Sequence, residues 1–132
     1  MIILAALAQA AAFACTPVAV WDGDGPIWCE EGPKIRIADI AARESDGTCR
    51  PGHPCPASSG AEARDALVQL LGGAKGTLRS GHVVVSYPTM TCERHGTSYE
   101  RVNATCELAD GRDLGDAMLA TNTVLPWPRR QR

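Results

Sequence analysis

The chain has 132 residues and a formal net charge of −2 at neutral pH. Its length corresponds to one domain with a modest core. The slightly acidic balance excludes a general basic field for nucleic acid or for an anionic membrane, so a polyanion would have to bind a local basic patch.

The N-terminal segment carries the first functional signal. Residues 1–14, MIILAALAQAAAFA, contain no charged side chain, and this run is shorter than the roughly 20 residues that span a bilayer. It ends in Ala12-Phe13-Ala14, the small-x-small pattern that signal peptidase accepts. We therefore predict a signal peptide over 1–14, with Ala10-Ala11-Ala12 as a second cleavage motif, and a secreted or periplasmic mature chain. A buried N-terminal helix and a lipid-modified Cys15 are the alternatives.

Six cysteines follow the predicted cleavage site, and an even count in a short exported chain predicts a disulfide framework. Of the fifteen pairings that six cysteines allow, one closes only short loops and hairpins. That pairing joins Cys15 to Cys29, Cys49 to Cys55, and Cys92 to Cys106. The alternative is a metal site within Cys49–Cys55, although zinc knuckles have closer cysteine spacing and a second ligand pair.

Three strands are predicted in the first part of the mature chain. Thr16–Trp21 is an extended, β-branched stretch, and Asp22–Pro26 is a dense turn signal. Ile27–Glu30 returns as the second strand of a hairpin. Lys34–Ile40 alternates polar and apolar residues, which is the period of a strand.

A loop and a helix come next. Residues 45–58 are rich in Gly, Pro, Ser and Cys. Ser59–Glu62 has the pattern of a capping box, and it precedes an apolar stripe at helical spacing. Gly72-Gly73 is expected to end this helix.

The second half alternates again between strands and a helix. We predict strands over His82–Tyr87 and Tyr99–Leu108, a loop or bulged ribbon over Pro88–Ser98, and a helix over Asp113–Thr121 with Asn122 as its cap. The order β-β-β-α-β-β-α predicts a mainly β (α+β) fold, a five-stranded OB-type barrel with two packed helices. The domain covers 15–125, and 126–132 form an extended basic tail.

Four short motifs carry charged side chains at the ends of these elements. They are Val20-Trp21-Asp22-Gly23-Asp24, Ile35–Glu44, Tyr99-Glu100-Arg101 and Asp110–Leu114. In this order and spacing the set resembles the staphylococcal nuclease family, over about residues 16–125. The resemblance implies an OB barrel with packed helices and calcium-dependent cleavage of DNA and RNA phosphodiesters.

The resemblance also implies roles for five residues. Asp24 matches the metal-binding aspartate of the first hairpin, and Asp22 matches its companion. Arg36 and Arg101 match the two arginines that clamp the phosphate, as planar guanidinium groups do. Glu44 matches the glutamate that positions or deprotonates the attacking water.

The chain departs from the family at the exit of the third strand. Ala41 stands where the second metal-binding aspartate is expected, Gly25 replaces a threonine, and Arg43 adds a positive charge. Asp39 lies two residues before Ala41, which is about 6–7 Å along a strand and too far to replace the missing ligand. Because calcium affinity follows the number of charged ligands, we expect a weakened calcium site. Arg43 would partly take the place of the metal at a phosphate.

Three functions follow from these features. The one we favour is an exported domain, derived from such a nuclease, that keeps its arginines, binds single strands or another polyanion, and has weak or absent catalysis. The second is an active, metal-dependent phosphodiester hydrolase, and the third is a structural or binding module of the cell envelope. We expect a monomer with no membrane span.

Less specific readings of the same residues stay open. Asp22 and Asp24 are also common turn formers, and Arg36 and Arg101 would serve equally as paired surface residues. The few aromatic residues that would stack on bases are Trp21, Trp28, Tyr87, Tyr99 and Trp127.

Overall fold

The computed structural model describes residues 12–129, which form ten short β-strands and two α-helices. The strands are β1 (Ala12–Cys15), β2 (Pro17–Asp22), β3 (Gly25–Cys29), β4 (Lys34–Ile37), β5 (Ile40–Ala41), β6 (Gly76–Thr77), β7 (Val83–Val84), β8 (Met90–Ser98), β9 (Arg101–Glu107) and β10 (Leu125–Pro126). The helices are α1 (Gly60–Leu70) and α2 (Leu114–Ala120).

Eight of the strands form one mixed sheet in the order β1-β8-β9-β4-β3-β2-β7-β6, and β5 pairs separately with β10. Neighbours in these described sheets run antiparallel except β4 and β9, which are parallel with Ile35 opposite Val102. The eight-stranded sheet is not closed, since β1 and β6 stand at its ends. The predicted mainly β fold with two helices is confirmed, whereas the strands are shorter and more numerous than the five predicted.

Strand alternation divides the central strands into a core face and an outer face. Val20, Ile27 and Ile35 are fully buried. Trp28, which is partly buried, and Lys34, which is exposed, alternate with these residues on the outer face. The core therefore lies on one side of the sheet, between it and the two helices.

Both helices begin and end as their sequence signals predict. Ser59 Oγ accepts a hydrogen bond from the Glu62 backbone N–H at 3.0 Å, and Glu62 Oε1 accepts one from the Ser59 N–H at 3.1 Å. Gly73 has a φ of 89° and donates its N–H to the Val68 carbonyl, a contact that ends α1. Asn122 follows α2 in the left-handed conformation, with a φ of 61°.

The three disulfides have the predicted pairing, Cys15–Cys29, Cys49–Cys55 and Cys92–Cys106. Cys92 and Cys106 are directly opposite each other in β8 and β9. The alternative prediction of a metal site within Cys49–Cys55 is wrong, because both sulfur atoms are in a disulfide. Three disulfides are typical of chains that fold in an oxidising compartment.

Three segments differ from their predictions. The strand predicted over Lys34–Ile40 ends at Ile37, because Asp39 has a φ of 70° and turns the chain before β5. Pro88–Ser98 is mostly strand β8, with a register shift between Arg94 and Gly96, so the bulged ribbon rather than the loop is observed. Of the predicted strand over His82–Tyr87 only Val83–Val84 is in the ladder. Pro88 has no backbone N–H to donate, which is consistent with the break between β7 and β8.

The two termini lie partly outside the described residues, namely 1–11 of the predicted signal peptide and 130–132 of the predicted tail. Ala12 and Ala14 belong to β1, where they pair with Glu93 and Thr91 of β8. Cleavage after Ala14 would therefore remove most of β1, and the signal peptide stays a prediction. No helix within residues 12–129 is long and apolar enough to cross a membrane.

Candidate functional site

A small polar cleft lies where the β2–β3 turn, the exit of β4, the start of β9 and the 45–58 loop meet. All five residues assigned to chemistry from the sequence line it: Asp22, Asp24, Arg36, Glu44 and Arg101. The structure therefore brings these residues together, while their individual roles remain predictions.

The cleft contains two further side chains that the sequence analysis did not assign, Arg50 and His53. Both lie in the loop closed by the Cys49–Cys55 disulfide. The short spacing of Cys49 and Cys55 was the sequence signal that could have pointed to them, because a disulfide over so few residues fixes the position of those between. The face that the loop presents to the cleft depends on contacts distant in sequence.

Two glycines let α1 pack tightly against the cleft. Gly23 is in the β2–β3 turn, and a Cβ atom there would lie 2.5 Å from the Cβ of Ala63 in α1. Gly60 begins α1, and a Cβ there would overlap the carbonyl oxygen of Glu44. The helix thus supports the backbone of both Asp-Gly-Asp and Glu44.

Asp24 is a partly buried carboxylate that already has partners. Its Oδ2 accepts a hydrogen bond from the Ala42 N–H at 3.1 Å and lies 3.4 Å from Arg36 Nη2. Burial raises the pKa of Asp24, and the Arg36 charge and the Ala42 N–H oppose that rise. This carboxylate connects the β2–β3 turn to the strand exit.

Asp22 is 4% exposed, and its carboxyl is next to that of Glu44. Burial is the main cause that raises the pKa of Asp22 to about 8, and the hydrogen bond with Glu44 and the charges of Glu44 and Asp24 add to it. Arg64 opposes the rise. Asp22 is therefore mostly protonated at neutral pH.

Arg36 is 7% exposed and is held by the backbone that follows β4. Its Nη1 donates to the Ile37 carbonyl and its Nη2 donates to the Ile40 carbonyl, both at 3.0 Å. The ring of Trp127 lies 5.5 Å from the guanidinium carbon. Burial lowers the pKa of Arg36 despite the opposing charge of Asp24. Arg36 thus fixes the strand exit as well as lining the cleft.

Arg50 and Arg101 are more exposed than Arg36. Arg50 Nε forms an ion pair with Glu44 Oε1 at 3.0 Å, and both side chains remain partly exposed. Arg101 lies 6.0 Å from the ring of Tyr99, a residue that is 88% exposed. These two guanidinium groups are placed to contact an anion that enters from solvent.

Ala41 and Asp39, at the exit of the third predicted strand, do not line the cleft. Ala41 is fully buried and pairs with Leu125 of β10. Asp39 is not a cleft residue, because its Oδ1 accepts hydrogen bonds from the backbone N–H and Nε of Arg129, at 3.1 and 3.0 Å.

The expectation that Arg43 stands beside the phosphate is wrong. Its Nε donates to the Pro56 carbonyl at 2.7 Å and its Nη1 donates to the Gly47 carbonyl at 2.8 Å. The side chain therefore extends into the 45–58 loop, whose backbone it holds, and it is not among the residues that line the cleft.

The donor set of the cleft does not fit calcium, which takes six to eight oxygen ligands. Arg36 pairs with Asp24 and Arg50 pairs with Glu44, while Asp22 lies against the Glu44 carboxyl and keeps one buried oxygen, Oδ1, without a hydrogen-bond partner among the described residues. Within residues 12–129, no three His, Cys, Asp or Glu side chains are arranged to hold one metal ion. With three guanidinium groups among these acids, the cleft suits an anion better than a cation.

A groove of about 450 Å³ continues from the cleft across the outer face of the sheet. Its basic residues are shared with the cleft, and its aromatic residues are His53, Tyr99 and Trp127. The rings of His53 and Trp127 are 4.0 Å apart between centroids. The groove is within the size range of small-molecule sites and has flat rings beside positive charge.

Comparisons of the chain with protein-family models, with curated proteins and with solved structures found no match.

Proposed function

We propose that the chain is an exported phosphodiester-binding domain, similar to staphylococcal nuclease, that binds nucleic acid with weak or absent catalysis. The observation that carries this proposal is the convergence of Arg36, Arg50 and Arg101 on one cleft. Guanidinium groups bind phosphate oxygens through paired, charge-assisted hydrogen bonds. Three of them in one cleft supply the local basic patch that an acidic chain needs to bind a polyanion.

The register of the sheet supports an OB-type barrel. Cys15 in β1 is opposite Met90 in β8, and Ala19 in β2 is opposite Val84 in β7. The stretch β1–β2 therefore runs antiparallel to the stretch β7–β8 along its length. When each stretch counts as one bent strand, five strands follow one another as β1–β2, β3, β4, β9 and β7–β8, and the last pairs again with the first. This adjacency is what we expect of an OB barrel.

An active calcium-dependent nuclease is the second candidate. It is favoured by Glu44, which lies beside Asp22 in the same cleft as the arginines. The partners of the three carboxylates count against it. Export to the periplasm or the medium suits either candidate, because three disulfides are typical of proteins in an oxidising compartment.

Fluorescence anisotropy with a labelled single-stranded oligonucleotide tests the binding. We expect an affinity that falls steeply with salt, as phosphate contacts require. Arg101→Gln should weaken binding by about tenfold, the effect of one hydrogen-bonded charge. Arg112→Gln is the matched control, because Arg112 is exposed and paired with Asp110 at 2.8 Å, outside the cleft. Absence of salt-dependent binding would exclude the proposal.

Plasmid and RNA digestion, with calcium or with a chelator, separates the two candidates. We expect little cleavage in either condition at micromolar protein. Cleavage that depends on calcium and is lost in Glu44→Gln would establish the active nuclease instead.

A further inference from the structure

An aromatic cluster lies on the outer face of the sheet, beyond the groove described above. Trp21 and Trp28 alternate with the buried Val20 and Ile27, so both indoles lie on the outer face of β2 and β3. Ala19 is opposite Trp28 in the β2–β3 pairing. Trp21 is two residues from Ala19 along β2, so the two indoles are diagonal neighbours.

His82 joins the two indoles into one surface. Its ring centroid is 4.1 Å from that of Trp28 and 4.8 Å from that of Trp21. A hydrogen bond of 2.7 Å between Ser80 Oγ and His82 Nδ1 fixes the orientation of the imidazole. Burial, and then the charge of Lys34, lower the pKa of His82, which favours a neutral ring at neutral pH. We refer to Trp21, Trp28 and His82 as the aromatic platform.

Positive charge borders the aromatic platform. Lys34 is opposite Trp28 in the β3–β4 pairing, and its Nζ lies over the Trp28 ring at 5.1 Å from the ring centre, a position from which it can turn toward an anionic ligand. A groove of about 630 Å³ runs from Trp28 and His82 to Arg50 and Arg101. The single acidic residue among the described residues that line it is Glu100. The net charge of the groove therefore suits an anionic ligand.

The groove of the aromatic platform is continuous with the candidate site, because Arg50, Tyr99 and Arg101 line both. β4 separates β3 from β9 in the sheet. The platform and Arg101 are thus about 10 Å apart across two strand spacings. Such a separation is short enough for neighbouring nucleotides of one strand.

We propose that the aromatic platform is a second nucleotide subsite, on which a base of single-stranded nucleic acid stacks while a neighbouring phosphate lies in the candidate cleft. The inference rests on the proposed function of the cleft. The ligand is single-stranded because bases reach an aromatic surface only when they are free of a duplex. The subsite gives the protein a preference for base-bearing strands over other polyanions.

The test compares two labelled ligands of equal length and charge by fluorescence anisotropy, an eight-nucleotide oligothymidylate and its abasic counterpart. The intact protein should bind the oligothymidylate about tenfold more tightly, the contribution expected of base stacking. Trp28→Leu should lose most of this preference and keep its affinity for the abasic chain. Trp28→Phe should retain part of the preference, because it keeps a ring at that position.

Controls separate folding and the cleft from the aromatic platform. Tyr87→Leu removes a partly buried ring that lines neither groove and should leave both affinities unchanged. Circular dichroism and thermal unfolding check that each variant folds. Arg101→Gln should weaken both ligands equally, because it acts through the phosphate.

The outcomes distinguish this inference from the proposed function. If neither ligand binds, the proposed function fails, and the inference fails with it. If both ligands bind equally, or if Trp28→Leu keeps the full preference, the platform is not a subsite while the cleft still binds phosphodiesters. If Trp28→Leu keeps the full preference, the base would instead stack on Trp127 and His53.

Discussion

The two ends of the sheet differ in charge. At one end, the β2–β3 turn and the start of β9 frame the cleft with Arg36, Arg50 and Arg101. At the other end, a larger groove contains three acidic residues, Glu93, Glu107 and Asp113. An overall charge of −2 therefore conceals a basic end and an acidic end. A phosphodiester is expected to bind only the basic end.

The two ends of the sheet also differ in the disulfides that lie beside them. Cys92–Cys106 lies beside the acidic groove, and Cys15–Cys29 joins β1 to β3 at the end of the hairpin away from its turn. Cys49–Cys55 alone lies at the basic end, in the loop that carries Arg50 and His53. Cys92–Cys106 and Cys15–Cys29 thus stabilise the sheet, while Cys49–Cys55 positions residues of the cleft.

Removal of the disulfides should give the largest effects. Replacing Cys92 and Cys106 with serine is expected to lower the free energy of unfolding by about 3 kcal/mol, because a bond that closes a loop of about 15 residues restricts the unfolded chain by that amount. Replacing Cys49 and Cys55 should cost about 2 kcal/mol, since its loop is shorter.

The affinity for an oligonucleotide should follow the opposite order, with the larger loss in the Cys49 and Cys55 variant. The Cys49 and Cys55 variant should bind an oligonucleotide more weakly, because Arg50 and His53 lose their fixed position. The Cys92 and Cys106 variant should keep its affinity at temperatures where it is folded. Denaturant unfolding and anisotropy measure the two quantities. Equal losses of affinity in both variants would contradict the separate role of Cys49–Cys55 in positioning the cleft.

Gly23→Ala tests the contact between α1 and the cleft. The new Cβ would meet Ala63 at 2.5 Å, so α1 or the turn must move, and we expect a loss of about 2–3 kcal/mol of stability. The matched change at the acidic end is Gly111→Ala, where no atom lies closer than 3.8 Å and the cost is limited to the positive φ of 90°, about 1 kcal/mol. Thermal unfolding of the two variants compares them, and a smaller loss in Gly23→Ala would contradict the packing described.

Asp22 should contribute strongly to the pH dependence of stability, and Asp24, whose pKa burial also raises, acts in the same direction. The pKa of Asp22 is about 8 in the folded chain and about 3.9 in the unfolded chain. Its contribution to stability is therefore fully present below about pH 4 and is lost as the pH rises to about 8. We expect the free energy of unfolding to fall between pH 5 and pH 7 by at most about 1.4 kcal/mol per pH unit.

Asp22→Asn should reduce this slope, because asparagine does not titrate, while Asp24 keeps its own contribution. Asp110→Asn is the control at the surface. The N–H and guanidinium of Arg112 lower the pKa of Asp110, so its loss should leave the slope above pH 5 unchanged. Denaturant unfolding at several pH values measures the slope, and a wild-type stability that increases over this range would contradict the environment of Asp22.

The features that the sequence predicted correctly depend on neighbours along the chain. The capping box at Ser59, the left-handed Asn122 and the three disulfide pairings each involve residues within about one loop of each other. Local sequence contains enough information for such contacts, because the interacting groups are brought together by one turn or one hairpin.

The features that local sequence does not specify depend on long-range contacts. The parallel pairing of β4 with β9 joins Ile35 to Val102, and the pairing of β1 with β8 joins Cys15 to Met90. The path of Arg43 into the 45–58 loop was missed for a related reason, since backbone carbonyl groups rather than a sequence motif attract it. No periodicity in the sequence specifies these partners.

A titration followed by ¹⁵N-resolved NMR tests the central claim that the basic end alone binds a phosphodiester. The ligand is a thymidine dinucleotide at low salt. We expect shifts at the backbone amides of Asp24, Ala42 and Arg101, and none at Glu93 or Glu107 of the acidic end. Shifts confined to the acidic end, or no saturable shifts at all, would contradict the assignment of the cleft as a phosphodiester site.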